Sequence, residues 1–366
     1  MSKYKEADGL KYIMERLWKD YKQEFPQDKD NLIELYASFE AHMYKKVHPK
    51  VNEGAAASGD GILTDHGPEH IQMVIRYAYE LIKDKYIYLL NSHNHNENDI
   101  SSRQRLNGYE IYILLLSIHF HDVGIIFGRN GHERKIDEIM QDLGEIIPLD
   151  NAEKRMVRDI ASAHGGFVDD DKSDKDTLKP LLSSDKYGRL SVRHTLIASI
   201  LRFADELSDD RTRANIIAKI NEQNIKYHEY SKSLYPIVFK HNTIAFEYDI
   251  PYNLLIEKIK SAQGEIYLYD EILNRLIKCM CELEYCRKYS DGFIIITTLY
   301  ITINILQQHY QNRCEKKIKF ELRVSGYPDI NIQNIKTYLD RPNEFEYECG
   351  ESLKSSIIAS KNKEEK

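Results

Sequence analysis

Residues 108–124 read GYEIYILLLSIHFHDVG. From Ile111 to Leu116 every side chain is apolar or aromatic, yet the segment closes on an imidazole and a carboxylate, His121 and Asp122, followed by Val-Gly. Such a run predicts a buried helix, because it is apolar on all sides and ends at a glycine. A carboxylate at its end costs several kcal/mol to bury unless a salt bridge, a hydrogen-bond network or a metal ion compensates it. The rest of the chain has to say which.

On both sides of this segment the pattern is helical. Residues 9–24 and 28–46 are amphipathic: Leu10, Ile13, Met14 and Leu17 recur at helical spacing, as do Leu32, Leu35, Tyr36 and Phe39. Small residues from Asn52 to Gly61 suggest a loop. A long helix is expected from Pro68, with Asp65 as its cap. The polar stretch SHNHNENDISS reads as a loop whose His93 and His95 are solvated. Further helices are expected after His132 and from Ala152 to Ala163, the latter stopping at His164-Gly165-Gly166. VDDDKSDKDTLKP reads as an acidic, mobile insertion, and SVRHTLIASILRFADEL as a second buried helix.

After about residue 215 the character changes. YPIVFK, TIAFEYDI and KIKFELRVSG suit strands, residues 253–289 read as helical again, and GFIIITTLYITINI fits either period. The expected fold is mainly α: an all-helical bundle followed by a smaller α+β C-terminal domain. The expected boundaries are an N-terminal helical extension over 1–29, the bundle over 30–221, the α+β domain over 222–354 and a disordered tail over 355–366.

Composition narrows the class. The chain has 366 residues, 42% hydrophobic and 30% charged, as in ordinary globular proteins. A formal net charge of -7 weighs against a sequence-independent nucleic-acid binder. The five cysteines follow no zinc-ligand spacing and read as reduced thiols. The charged N-terminus lacks a signal-peptide core, and no stretch reads as the ~20 apolar residues that span a bilayer. The expectation is a cytoplasmic protein without a membrane partner.

Five histidines and two aspartates stand out: His66 and His70 in DHGPEH, His121 and Asp122, His132 in GRNGHE, His164 in SAHGG, and Asp205 in RFADEL. His66 and His70 are four apart and share a helix face. Asp205 shares a face with Leu201 and Ala198, so it needs a partner; Arg202 or Arg211 would serve. Each residue alone has an ordinary explanation as a cap or a satisfied core group. The ordered series on helices is harder to reach that way, and nitrogen and carboxylate donors without thiolate suit first-row divalent ions.

With His70, His121-Asp122 and Asp205 in the order H…HD…D, the chain resembles the HD superfamily of metal-dependent phosphohydrolases. HGxxH, HDxG…GxxxHE and LRxADEL together look closest to the bacterial HD-CE type, over residues 30–215. The resemblance implies a helical bundle with one divalent ion held by His70, His121, Asp122 and Asp205. It also implies a second ion, shared through Asp122 and held by His132 and His164. The ions would be one or two of Mn, Fe, Co, Ni, Zn or Mg. The HxxxH spacing is similar to that of cyclic-nucleotide phosphodiesterases and by analogy makes His66 a general acid. Asp122 would orient the nucleophile and hold its proton.

Phosphoester hydrolysis is extremely slow uncatalysed, and its catalyst must neutralise charge and supply a strong nucleophile. Divalent ions do both. Arg129, just beyond the HD pair, is a candidate phosphate contact. The expected function is hydrolysis of a phosphoester in a nucleotide or nucleotide-derived substrate, by a chain expected to self-associate. A dNTP triphosphohydrolase or nuclease of the same superfamily is the alternative, although Ile125 stands where the longer triphosphohydrolase pattern has a histidine. From another class, a non-catalytic regulatory module binding metal or nucleotide would carry the same ligands.

Overall fold

The computed structural model describes residues 9–57, 66–87, 105–168, 174–214, 224–261, 264–307, 314–326 and 334–364. The chain is mostly helical, with a sheet in its C-terminal region. It divides into two compact units. The first comprises Met1–Asp60, His66–Ser208 and Tyr285–Ile294; the second comprises Gly61–Asp65, Asp209–Glu284 and Ile295–Lys366. The sequence-based boundary near 222 therefore lies inside the second unit. Asp65, His93 and His95 lie outside the described residues.

The first unit contains α1 (Gly9–Asp20), α2 (Leu32–His42), α3 (His48–Ala57), α4 (Pro68–Ile82), α5 (Gly108–Phe120), α6 (Ile136–Leu143), α7 (Asn151–Ser162) and α8 (His194–Leu207). Residues Met43–Val47 form a π-helical turn between α2 and α3. All of α5 is buried. With the turn that follows, Gly108–Phe127 is long and apolar enough to cross a membrane, contrary to the sequence reading, but 89% of it is buried inside the protein. It is the central core helix. Leu10, Ile13, Met14 and Leu17 of α1 are fully buried in the same unit, so α1 is core material and no mere extension.

α5 and α8 start together and end together. Asn107 caps α5 in a reciprocal box with Glu110. The buried Glu110 carboxylate then accepts from the backbone N–H of Arg193 (3.0 Å) and from its guanidinium (2.6 and 2.8 Å). Arg193 is the residue that precedes α8. Asp122 lies twelve residues after Glu110, and Asp205 twelve residues after Arg193. At about 1.5 Å per residue both aspartates sit roughly 18 Å along their helices. One ion pair at the start thus brings two carboxylates level at the far end.

Two sequence expectations for this unit change. The stretch from Asn52 is helical through Ala57. Its Gly54 lies against the backbone of Ile126, where a Cβ would come within 2.5 Å of the Ile126 Cα, so this small residue marks close packing and not a loop. The bundle also carries a hairpin, β1 (Asp185–Tyr187) with β2 (Leu190–Val192), turning at Gly188 with φ +59°. Of the acidic stretch, Asp176 is buried and accepts from Tyr289 Oη (2.7 Å) and Lys288 Nζ (3.0 Å).

The second unit contains α9 (Ile225–Ser233), β3 (Val238–Lys240), β4 (Thr243–Ile250), α10 (Tyr252–Ile256), β5 (Ile259–Ser261), β6 (Gly264–Ile266) and α11 (Leu268–Tyr289), whose last turn belongs to the first unit. β7 (Thr298–Leu306), β8 (Cys314–Arg323) and α12 (Gly350–Glu364) complete it. The sheet order is β3-β4-β7-β8; β4 and β7 are parallel and the other neighbours antiparallel. One face buries Ile244, Phe246, Tyr248 and Ile250 with Leu299, Ile301 and Ile303. The ambiguous apolar run resolves as β7, since its alternate residues share that face. The hairpin β5–β6 interrupts the helix expected from Asn253, and α12 stands where a disordered tail was expected.

Candidate metal centre

Four helix ends supply the polar cluster. His70 lies in the first turn of α4, His121 and Asp122 follow α5, Asp205 lies in the last turn of α8, and His164 follows α7. His132 opens a single 3-10 turn, His132–Arg134. That turn rests on Gly124, where any Cβ would lie 2.0 Å from the His132 carbonyl oxygen. The glycine after the HD pair is thus required by close backbone approach.

The donors fall into two groups. His70 Nε2, His121 Nε2, an Asp122 oxygen and an Asp205 oxygen form the first; an Asp122 oxygen, His132 and His164 form the second. In the first, His70 Nε2 lies 3.2 Å from His121 Nε2, 3.3 Å from Asp122 Oδ2 and 3.2 Å from Asp205 Oδ1. His121 Nε2 lies 3.4 and 3.6 Å from the same two oxygens. In the second, Asp122 Oδ1 lies 3.2 Å from His132 Nε2 and 3.5 Å from His164 Nε2, which are 3.2 Å apart. A tetrahedron of ligands at about 2.1 Å from a zinc-like ion has edges of about 3.4 Å. Both groups fit, and Asp122 belongs to both.

Hydrogen bonds fix what these atoms offer. His121 Nδ1 lies 2.7 Å from the Ile118 carbonyl, His132 Nδ1 2.9 Å from that of Arg129, and His164 Nδ1 2.7 Å from that of Ala161. A carbonyl only accepts, so each Nδ1 carries a hydrogen and each neutral ring turns its Nε2 lone pair inward. His70 follows suit: Ser208 Oγ donates to the Asp205 carbonyl (2.7 Å) and is 3.1 Å from His70 Nδ1, from which it accepts. Lone pairs therefore face lone pairs and carboxylate oxygens across about 3 Å in a buried site. Only cations can hold that arrangement: metal ions, or protons in their place.

The electrostatics agree. Burial pushes the Asp122 carboxyl up, but the imidazoles of His121 and His66 outweigh it and hold it well below the usual carboxylate range. Burial likewise raises Asp205, and His121 and His70 bring it well below that range. His121 is held well above the ordinary histidine value, because Asp122 and Asp205 outweigh its desolvation. His132 is raised against its own burial by Asp122.

The structure thus brings His70, His121, Asp122, Asp205, His132 and His164 together. His66 belongs to neither group. Its Nδ1 lies 2.7 Å from Asp122 Oδ2, its backbone N–H donates to Asn52 Oδ1 (2.9 Å), and its Nε2 meets the Arg129 guanidinium. Arg202, weighed in the sequence as a partner for Asp205, instead donates to Thr177 (2.8 Å), and Arg211 donates to the Leu234 carbonyl. Sequence reasoning missed Ser208, three residues past Asp205, whose hydroxyl orients His70. It also missed His119 in the same HFHD stretch. That buried ring joins Tyr36 Oη (3.2 Å) and His48 Nε2 (3.0 Å), and burial, with His121 and Lys11, pushes it down to about 3.

The side chains of the order H…HD…D thus converge, at the ends of a helical bundle, on two groups that could each hold a cation. A family model for the HD-CE domain matches residues 61–278, more than half the chain, and the protein belongs to that family. No curated protein and no solved structure matches it.

Proposed function

We propose that this protein is a metal-dependent phosphohydrolase acting on a phosphoester of a nucleotide or nucleotide-derived substrate. The observation that carries the reading is the convergence of four imidazole lone pairs on the two oxygens of a single buried aspartate. His70, His121, Asp122 and Asp205 would hold one divalent ion, and Asp122, His132 and His164 a second. Such ions polarise a phosphoryl oxygen and lower the pKa of water from 15.7 towards about 7. The remaining work falls to the chain. Asp122 aligns both groups, and Ser208 and the backbone carbonyls hold the rings in register. Arg129 contacts the phosphate. His66, anchored through Nδ1 on Asp122, turns Nε2 to the substrate's leaving oxygen; its acid role requires that nitrogen to carry the proton.

The test is hydrolysis of a panel of nucleoside mono-, di- and triphosphates and cyclic nucleotides with Mn, Co or Mg, resolving phosphate from nucleoside products. Turnover that is metal-dependent and lost in Asp122→Ala supports the reading. Metal binding without turnover of any member would replace it with a non-catalytic regulatory module.

A further inference from the structure

Three hydrogen bonds and one nitrogen–carboxylate contact close a ring through Asp122. Asp122 Oδ2 meets His66 Nδ1 (2.7 Å), His66 Nε2 meets the Arg129 guanidinium, the Arg129 carbonyl meets His132 Nδ1 (2.9 Å), and His132 Nε2 meets Asp122 Oδ1 (3.2 Å). A guanidinium only donates, so His66 Nε2 is the acceptor and its lone pair is occupied. A ring nitrogen engaged in this way cannot exchange a proton with a substrate. The guanidinium has a better partner in a phosphoryl oxyanion, whose hydrogen bonds are charge-assisted and often bidentate. The Arg129 backbone stays in place through its carbonyl on His132, between the positive-φ glycines Gly128 (φ +104°) and Gly131 (φ +67°). The side chain alone has to move.

We propose that Arg129 exchanges partners: it holds His66 Nε2 in the free protein and a phosphoryl oxygen when substrate binds. His66 then faces the reacting oxygens only when a phosphoryl group is in place. Arg129 becomes the residue that ties recognition of the phosphate to the use of His66. This rests on the phosphohydrolase reading of the site.

The exchange makes His66 a competitor of phosphate for one guanidinium, which a purely structural contact would not be. Calorimetric titration of the manganese-loaded full chain with inorganic phosphate reads this directly, with metal content measured for every variant. Arg129→Ala should weaken phosphate binding by about 10-fold or more, the scale of a charged hydrogen bond. His66→Ala should tighten it several-fold, as should His66→Asn, and the double variant should match Arg129→Ala. Arg129→Lys should recover part of the affinity as a point charge. Phosphate affinity in the His66 variants equal to or below wild type at equal metal content would overturn the exchange, as would an unchanged affinity in Arg129→Ala. Turnover of the nucleotide panel by the unaltered protein is scored separately. Turnover without the affinity pattern sinks the exchange alone, the affinity pattern without turnover sinks hydrolysis alone, and a wild type that binds no phosphate sinks the exchange.

Discussion

Asp122 is the residue on which both candidate cation groups depend, because one carboxylate gives an oxygen to each. Asp122→Ala should therefore lower the metal content of both groups and abolish turnover while the circular-dichroism spectrum stays helical. Retained metal at wild-type level would place the ions elsewhere. The same residues set a pH dependence in the chelated protein. The carboxyls of Asp122 and Asp205 lie below their ordinary values. Their contribution to stability is present above about pH 4 and is lost as pH falls through the depressed values. The imidazoles of His121 and His132 lie above theirs. Their contribution is full below about pH 6.5 and is lost as pH rises through the raised values. With chelator, Tm should peak between about pH 4 and 6.5, and added manganese should raise Tm more at about pH 8 than at about pH 5.5, since ligands bind deprotonated. A chelated Tm that keeps climbing from about pH 6.5 to 8 contradicts this.

Elements carry the next constraint. α5 and α8 meet level at the site because Glu110 and Arg193 pin their starts. Glu110 is buried and the Arg193 side chain is 22% exposed. Glu110→Ala takes the carboxylate from the guanidinium, which keeps the Arg105 carbonyl (2.6 Å), and strands the Arg193 and Asn107 backbone N–H groups, at a cost of about 2–4 kcal/mol. Urea unfolding should show that loss together with weaker metal binding; a change under about 0.5 kcal/mol, within the range of ordinary surface substitutions, would mean the pair does not set the register. The turn after α5 has its own constraint at Gly124. Gly124→Ala must displace the His132 backbone, so it should lose the metal of the His132–His164 group while keeping that of the His70–Asp205 group. Metal content per chain, with His132→Ala as the reference, reads the difference.

At the scale of the molecule, the chain declares its candidate metal-binding residues more openly than their supports. Asp122 and Asp205 are visible because a carboxylate on an apolar helix face has few reasons to be there. Ser208 is silent in the sequence, since a hydroxyl past a helix end has many uses and only the folded chain shows it between His70 and the Asp205 carbonyl. β4 is legible from its alternation, whereas β7 is hidden in a run that satisfies both periods, and β5–β6 are too short to register. The close approach of Gly54 to Ile126 looks like a loop until its neighbour is known. Everything above turns on Asp122 joining two candidate ion-binding groups. The anomalous-difference map of a manganese-soaked crystal tests it most directly. Two peaks are expected, about 3.5–4 Å apart as in two-metal sites, one among His70, His121, Asp122 and Asp205 and the other among Asp122, His132 and His164. Manganese peaks confined to other parts of the protein, with none beside Asp122, would contradict it.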